Sequence, residues 1–280
     1  MDQVRGSNLY ESYEMKQVTG ETIRPGGFSL TERAADICKF AKGANVLDVG
    51  CGVGSTVQYL RYQYGLSAVG VDPSPLQLAD GLSKNRDLPI FQGQGEALPF
   101  EHESMEGIFA ECTLSLMDPS LALPEFYRVL KPNGYLIVSD IYARNEDGVS
   151  SLRNLNVASC LTGAVSRKVL TDRLQESGFE VVLWEDHSRL LAELTARLIF
   201  ANESAGSFWG LVCGTGLCTD TKGAVNTSRP GYFLLIARKT NGNTHGNTNG
   251  NTHGNTNGNT HGTTDGNTHG TTDGTTDGRE

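Results

Sequence analysis

Short apolar runs with β-branched residues recur along the chain, separated by longer stretches of mixed polarity. The runs are ANVLDVG (44–50), SAVGVD (67–72), PIFQGQ (89–94), MEGIFAEC (105–112) and GYLIVSDI (134–141). Between them lie the helical segments STVQYLRYQYG (55–65), SPLQLADGLSKN (74–85) and LPEFYRVLKPNG (123–134). Strand and helix alternating at this spacing predict βαβ units and a parallel, doubly wound sheet.

The flanks extend the pattern. Upstream, SLTERAADICKFAKG (29–43) reads as a helix opened by a capping box, Ser29 with Glu32, and stopped by Gly43. Downstream, SRKVLTDRLQESG (166–178) is a second glycine-closed helix that feeds a sixth strand, FEVVLWEDH (179–187). A final strand, GYFLLIARK (231–239), follows an insertion over about 188–230. A parallel set followed by two late strands predicts a seven-stranded α/β sheet whose last strand runs antiparallel.

From about Thr240 onward the text changes to a four-residue repeat of the NGNT, HGNT and TDGT kind without an apolar residue. Such a segment cannot offset its ordering entropy by burial and is expected to be a disordered tail over 241–280. Its histidines, His245, His253, His261 and His269, recur every eight residues, a spacing open to metal binding or to simple repeat expansion. The remainder, roughly 240 residues, suits one domain. It divides into an N-terminal cap segment with the first helix (1–43) and the main domain (44–240).

Charge and composition narrow the partners. A formal net charge of -9 leaves no basic footprint for nucleic acid. No apolar run reaches the length of a membrane span and no signal peptide opens the chain, so a soluble, cytoplasmic protein is expected, its oligomeric state open. The six cysteines, Cys38, Cys51, Cys112, Cys160, Cys213 and Cys218, then read as reduced thiols.

The chemistry-bearing motif is LDVGCGVGS (47–55), where a strand breaks into a glycine-rich turn and then a helix. Gly50, Gly52 and Gly54 let the backbone approach a ligand, with Cys51 packed inside the turn. Asp48 sits just before the turn, and Asp72, followed by Pro73, ends the next strand. An acid there is placed to accept ribose hydroxyls. The third strand leads into GQGEALPF (93–100), and FYRVLKPNGYLIVSD (126–140) follows the fourth.

This series resembles the class I S-adenosylmethionine-dependent methyltransferases of the type 11, ubiE-like kind, densely over 44–141 and loosely elsewhere. The resemblance implies a Rossmann-like fold and S-adenosyl-L-methionine as cofactor. It implies Asp48 near the amino-acid end of the cofactor, Asp72 on the ribose, and Gln94, Gly95 and Glu96 flanking the adenine. Gln94 stands where the family usually has Asp; its amide oxygen can still accept from the adenine amine. Arg24, in RPGGF (24–28), is placed either to pair with the cofactor carboxylate or merely to lie in a surface loop. Tyr10 and Tyr13 precede it.

The acceptor is less defined. His102 and His187 both read as solvated or structural. Glu111, at the end of strand four, is a candidate acid/base or a wall of the cofactor pocket. Cys38 and Cys51 read as core fillers. Cys112 closes strand four and Cys160 lies between strand five and the next helix, so both belong to the carboxyl edge where ligands bind. CTLSLMDP (112–119), SDIYAR (139–144), CLTGAVS (160–166) and ESGFE (176–180) locally resemble arsenite methyltransferases. By that resemblance Cys112 and Cys160 are thiolate ligands of trivalent arsenic, whose lone pair needs no base. The N-terminal cysteine and the C-terminal region of those enzymes are unmatched; Cys213 and Cys218 stand instead, open as a third thiol, a redox pair or loop residues. Three functions remain: methyl transfer to a small organic acceptor, methyl transfer to arsenite or a related thiophilic substrate, and cofactor binding without catalysis. No residue is assigned to a resident metal ion.

Overall fold

Seven strands form one sheet in the order β3-β2-β1-β4-β5-β7-β6. The computed structural model describes residues 22–155, 159–201 and 218–240, without the side chains of 201 and 218–221. Tyr10, Tyr13, Cys213, the Cys218 side chain and the repeat at 241–280 lie outside the described residues. Those residues all belong to one unit, Met1–Asn243; the second, Thr244–Glu280, lies beyond them.

The first five strands are β1 (Asn45–Val49), β2 (Ser67–Asp72), β3 (Ile90–Gln92), β4 (Met105–Glu111) and β5 (Leu130–Ala143). All are paired in parallel. The helices α1 (Ser29–Cys38), α2 (Ser55–Tyr64), α3 (Pro75–Lys84) and α4 (Pro119–Val129) accompany them. β6 (Phe179–Asp186) and β7 (Pro230–Lys239) complete the sheet. The last strand runs antiparallel, as its late position predicts, and it inserts between β5 and β6.

Side chains of a strand point alternately to the two faces, and the core divides accordingly. Leu47, Ile108, Leu136, Val138, Phe233 and Leu235 face one layer with Phe126 of α4. Val46, Ala68, Phe109, Ile137, Leu234 and Ile236 face the other with Leu30 of α1 and Leu60 of α2. Helices on both faces bury the central strands β1 and β4 almost throughout, which is why those strands read as continuous apolar runs, whereas the edge strand β3 exposes Phe91 and Gln92. Cys38 packs in the second layer, where burial raises its thiol pKa to about 12.

Local capping departs from expectation in three places. Ser29 is the first helical residue of α1, not its cap; Phe28 occupies the cap position and makes no side-chain cap bond. The helix ends at Cys38, where Lys39 turns left-handed with φ 49°, before Gly43 is reached. The stretch 123–134 is not one helix. α4 starts earlier, with Asp118 accepting from Ser120 N and Pro119 in the first turn, and stops at Val129. Leu130 already pairs with Met105, and Lys131 to Gly134 bulge out before Tyr135 rejoins Gly107.

The insertion before β7 is helical at both described ends. α5 (Val149–Arg153) and α6 (Arg167–Glu176) precede β6; α7 (Ser188–Ala201) follows it and α8 (Cys218–Ser228) leads into β7. Among the described residues no helix is long and apolar enough to cross a membrane.

Candidate active site

β1, β2 and β4 end side by side, and their carboxyl tips open a cleft of about 720 Å³. That volume is in the range of small-molecule and cofactor sites. At the tip of β1 the chain enters the turn Gly50–Gly54. Gly52 has φ 55°, and a Cβ added there would meet nothing within 4 Å. Its backbone is therefore open to the cleft that it lines. Asp72, at the tip of β2, crosses to that turn: one carboxylate oxygen accepts from Gly52 N at 2.8 Å and the other from Ser74 N at 2.8 Å. Two backbone donors thus orient the carboxylate in the cleft.

Five acids line this cleft, and Asp48, Asp72 and Glu111 form its inner group. These three are buried, and Asp48 is 4% exposed. Burial, with the charge of Glu111, pushes the Asp48 carboxyl well above its ordinary range; Arg24 opposes the shift. Arg24 is the cation of the group. Its guanidinium lies 2.9 Å from Glu111 and donates to Thr56 Oγ1, Thr31 Oγ1 and the Gly27 carbonyl. Glu111 accepts further from the hydroxyls of Thr31 and Thr56. Arg24 thus lies on the cleft rather than in a detached surface loop, and its charge is paired inside the protein. Glu111 is clamped by three partners, an arrangement suited to holding the N-terminal segment over the cleft. Acting as a proton carrier, it would have to break an ion pair with almost no solvent access.

The remaining sequence candidates distribute as follows. Gly50, Cys51, Pro73, Gln94, Gly95 and Glu96 all line the cleft. Gly54 sits at the cap of α2 with φ 81°. Cys51 is buried, with its thiol pKa raised chiefly by burial, as befits a filler. Gln94 is exposed, and Glu96 accepts from Asp118 N, tying the adjacent loop to α4. His102 is on the surface and His187 contacts Glu185, both away from the cleft.

Cys112 and Cys160 do come together. Cys112 forms part of the cleft wall. It takes a left-handed backbone, φ 59°, uncommon for a residue with a side chain. The Cys160 thiol donates to the Cys112 carbonyl at 3.1 Å, and Cys112 Sγ lies 3.3 Å from the Tyr232 hydroxyl. Asp140 joins them: its carboxylate and both thiols lie within 4.8 Å of one another, all buried. Asp140 accepts from Ser115 N, Ser115 Oγ and Ile141 N. Burial nevertheless raises its pKa to about 6, against these bonds and one from the Cys160 thiol. Sequence reasoning missed Asp140, although it is the acid of the SDIYAR segment at the carboxyl end of β5. Thr31, Thr56, Ser115 and Tyr232 carry no local signal, since their roles exist only once distant elements are packed.

Residues 47–138 match a family model described as a methyltransferase domain. A protein of Haemophilus influenzae is 30% identical over 172 residues, 57% of this chain and 68% of that protein. The uncharacterized methyltransferase YodH of Bacillus subtilis is 35% identical over 116 residues, 40% of this chain and 50% of its own length. Thus the chain spans about two thirds of the first and half of the second. Among solved structures, phosphoethanolamine N-methyltransferase 2 of Haemonchus contortus, in complex with S-adenosyl-L-methionine, aligns with a TM-score of 0.65. That alignment covers 81% of this chain and 56% of the other at 18% identity, a likeness of fold. The matched domain spans the strand tips that build the cleft, and the chain belongs to the class I S-adenosylmethionine-dependent methyltransferases.

Proposed function

We propose that this protein transfers a methyl group from S-adenosylmethionine to a small-molecule acceptor in the cleft at β1, β2 and β4. The observation that carries the reading is Asp72, held by the amides of Gly52 and Ser74 in the same cleft as Asp48 and Glu111. Bound S-adenosylmethionine supplies a methyl group already activated by its sulfonium for in-line displacement. The task of the chain is then to bind, orient and exclude water.

In this reading Asp72 accepts from the ribose hydroxyls. Gly50, Cys51, Gly52 and Gly54 form the turn against which the cofactor lies, and Pro73 shapes the mouth beside Asp72. Gln94, Gly95 and Glu96 wall the adenine end. Asp48 serves the amino-acid end: a cleft lined by five acids against Arg24 and Lys84 favours a ligand carrying a sulfonium and an ammonium. Among the described residues the four contacts of Arg24 use four of its five guanidinium N–H groups, and the fifth is assigned to the cofactor carboxylate. Residues 44–240 make the methyltransferase unit, with 1–43 as cap and 241–280 as a tail outside it.

The proximity of Cys112 and Cys160 favours a second reading, in which the acceptor is arsenite or a related thiophilic metalloid. Two thiolates suit a soft centre, and an acceptor with its own lone pair needs no base.

One assay separates these readings: transfer of labelled methyl from S-adenosylmethionine to a panel of small organic acceptors and, in parallel, to arsenite with thiol. A small organic acceptor is expected to take up label in the wild type and in Cys112→Ser and Cys160→Ser. Label on arsenite alone, lost in both serine variants, would move the assignment to the metalloid. Cofactor binding with no labelled product from any acceptor would leave a non-catalytic binder and sink both.

A further inference from the structure

We propose that Cys112, Asp140 and Cys160 form a binding site for a zinc-type divalent cation at the joined carboxyl ends of β4 and β5. Two independent stretches of chain bring the donors together. Cys112 N donates to Ser139 O at 2.7 Å, fixing Cys112 beside the C-terminal part of β5, where Asp140 follows Ser139. The loop holding Cys160 is pressed onto the turn after Cys112. A Cβ on Gly163 would lie 1.6 Å from the Ser115 carbonyl oxygen, so only glycine admits this approach.

The donor set selects the ion. Two thiols and one carboxylate match the sulfur and oxygen ligands of zinc in tetrahedral sites, whereas a purely soft centre would favour sulfur throughout. Zinc–thiolate bonds of about 2.3 Å place ligand sulfurs about 3.8 Å apart. The three donor atoms lie within 4.8 Å of one another, so closure onto an ion needs a movement of at most about 1 Å. A second observation points the same way. Ser159 Oγ, immediately before Cys160, is buried and has no hydrogen-bond partner among the described residues. A buried hydroxyl without a partner calls for an explanation, an ion or water among them, and this one adjoins a proposed ligand in sequence. The unusual backbone of Cys112 fits as well, since such conformations persist where function over-determines them. Because Cys112 also walls the cleft, a cation held here borders the space assigned to the acceptor.

The test uses the full, reduced chain stripped of metal by chelator and titrated with Co2+, followed by Zn2+ displacement. The tail histidines can also take cobalt, but only cysteine ligation gives a thiolate-to-cobalt charge-transfer band. We expect one equivalent of that band in the wild type and in the Cys213→Ser/Cys218→Ser double variant, bleached by Zn2+. It is expected to vanish in Cys112→Ser and in Cys160→Ser, and Asp140→Asn should bind at least tenfold more weakly. Circular dichroism on each variant distinguishes lost ligation from lost folding. No band in the wild type, a band unaffected by either serine variant, or undiminished affinity in Asp140→Asn overturns the site. Arsenite binding through Cys112 and Cys160 without a cobalt band overturns it too, in favour of the metalloid acceptor. S-adenosylmethionine affinity measured on the same samples reports separately on the methyl-transfer reading.

Discussion

The chemistry of single residues in the cleft is set by burial more than by residue type. Asp48 has its carboxyl pKa raised mainly because it is buried, and next because Glu111 repels its charge. A raised acid pKa means the folded state holds its proton over a pH range in which the unfolded chain has lost it. The associated stability is fully present at acid pH and is lost as pH rises through the folded pKa. Asp48→Asn should therefore gain stability relative to wild type as pH is raised from about 4 to neutrality, as read by melting temperatures. The cofactor is cationic at its sulfonium and ammonium, so wild-type affinity for it should rise as pH passes upward through the raised folded-state pKa of Asp48, a rise that Asp48→Asn should lack; calorimetry at several pH values checks this. Gly52 offers a complementary case. Alanine there meets open space but adopts a left-handed backbone, at a cost of about 1–2 kcal/mol. Its methyl projects where the cofactor is to lie, so Gly52→Ala should lose far more affinity than stability. The reverse ratio would place the ligand elsewhere.

At the scale of elements, the site is a product of strand ends brought into line by parallel pairing. The register Val49↔Val71 sets Asp72 next to the glycine turn, and Glu111↔Ser139 sets Cys112 next to Asp140. Gly163→Ala tests the second alignment. The added methyl must push the 159–166 loop from the turn at Ser115, so it should weaken metal binding at the cysteine pair while leaving S-adenosylmethionine affinity near wild type. Equal loss of both would indicate general unfolding, and loss of neither would show that the loop does not set the pair. Sequence pattern revealed the strands well, because strands buried on both faces are apolar throughout. It failed at 123–134, where KPNG reads as a helix stop. The physical event there is a bulge that lets β5 begin at Leu130. It failed again at Ser29: a capping box needs the serine before the first turn, and the chain starts the helix one residue early. The glycine turn, Asp72 and Cys112 were legible because each ends a strand. Asp140 was overlooked within an apolar run, and the clamp of Arg24, Thr31, Thr56 and Glu111 joins residues 80 positions apart in sequence, beyond any local pattern.

At the scale of the whole molecule, the sheet and its two apolar layers hold every candidate group of the cleft within the unit Met1–Asn243. The repeat at 241–280 contains no apolar residue and contributes nothing to those layers by composition. Removal of 241–280 is therefore expected to leave the melting temperature and cofactor affinity unchanged; a lower melting temperature would mean that the repeat packs on the domain. The account as a whole rests on the cofactor cleft, and calorimetric titration of S-adenosylmethionine into the wild type and into Asp72→Asn tests it most directly. It predicts one site per chain and, with charge-assisted hydrogen bonds worth about 1.5–3 kcal/mol each, at least tenfold weaker binding in the variant. Absence of binding to the wild type, or equal affinity in the two proteins, would contradict it.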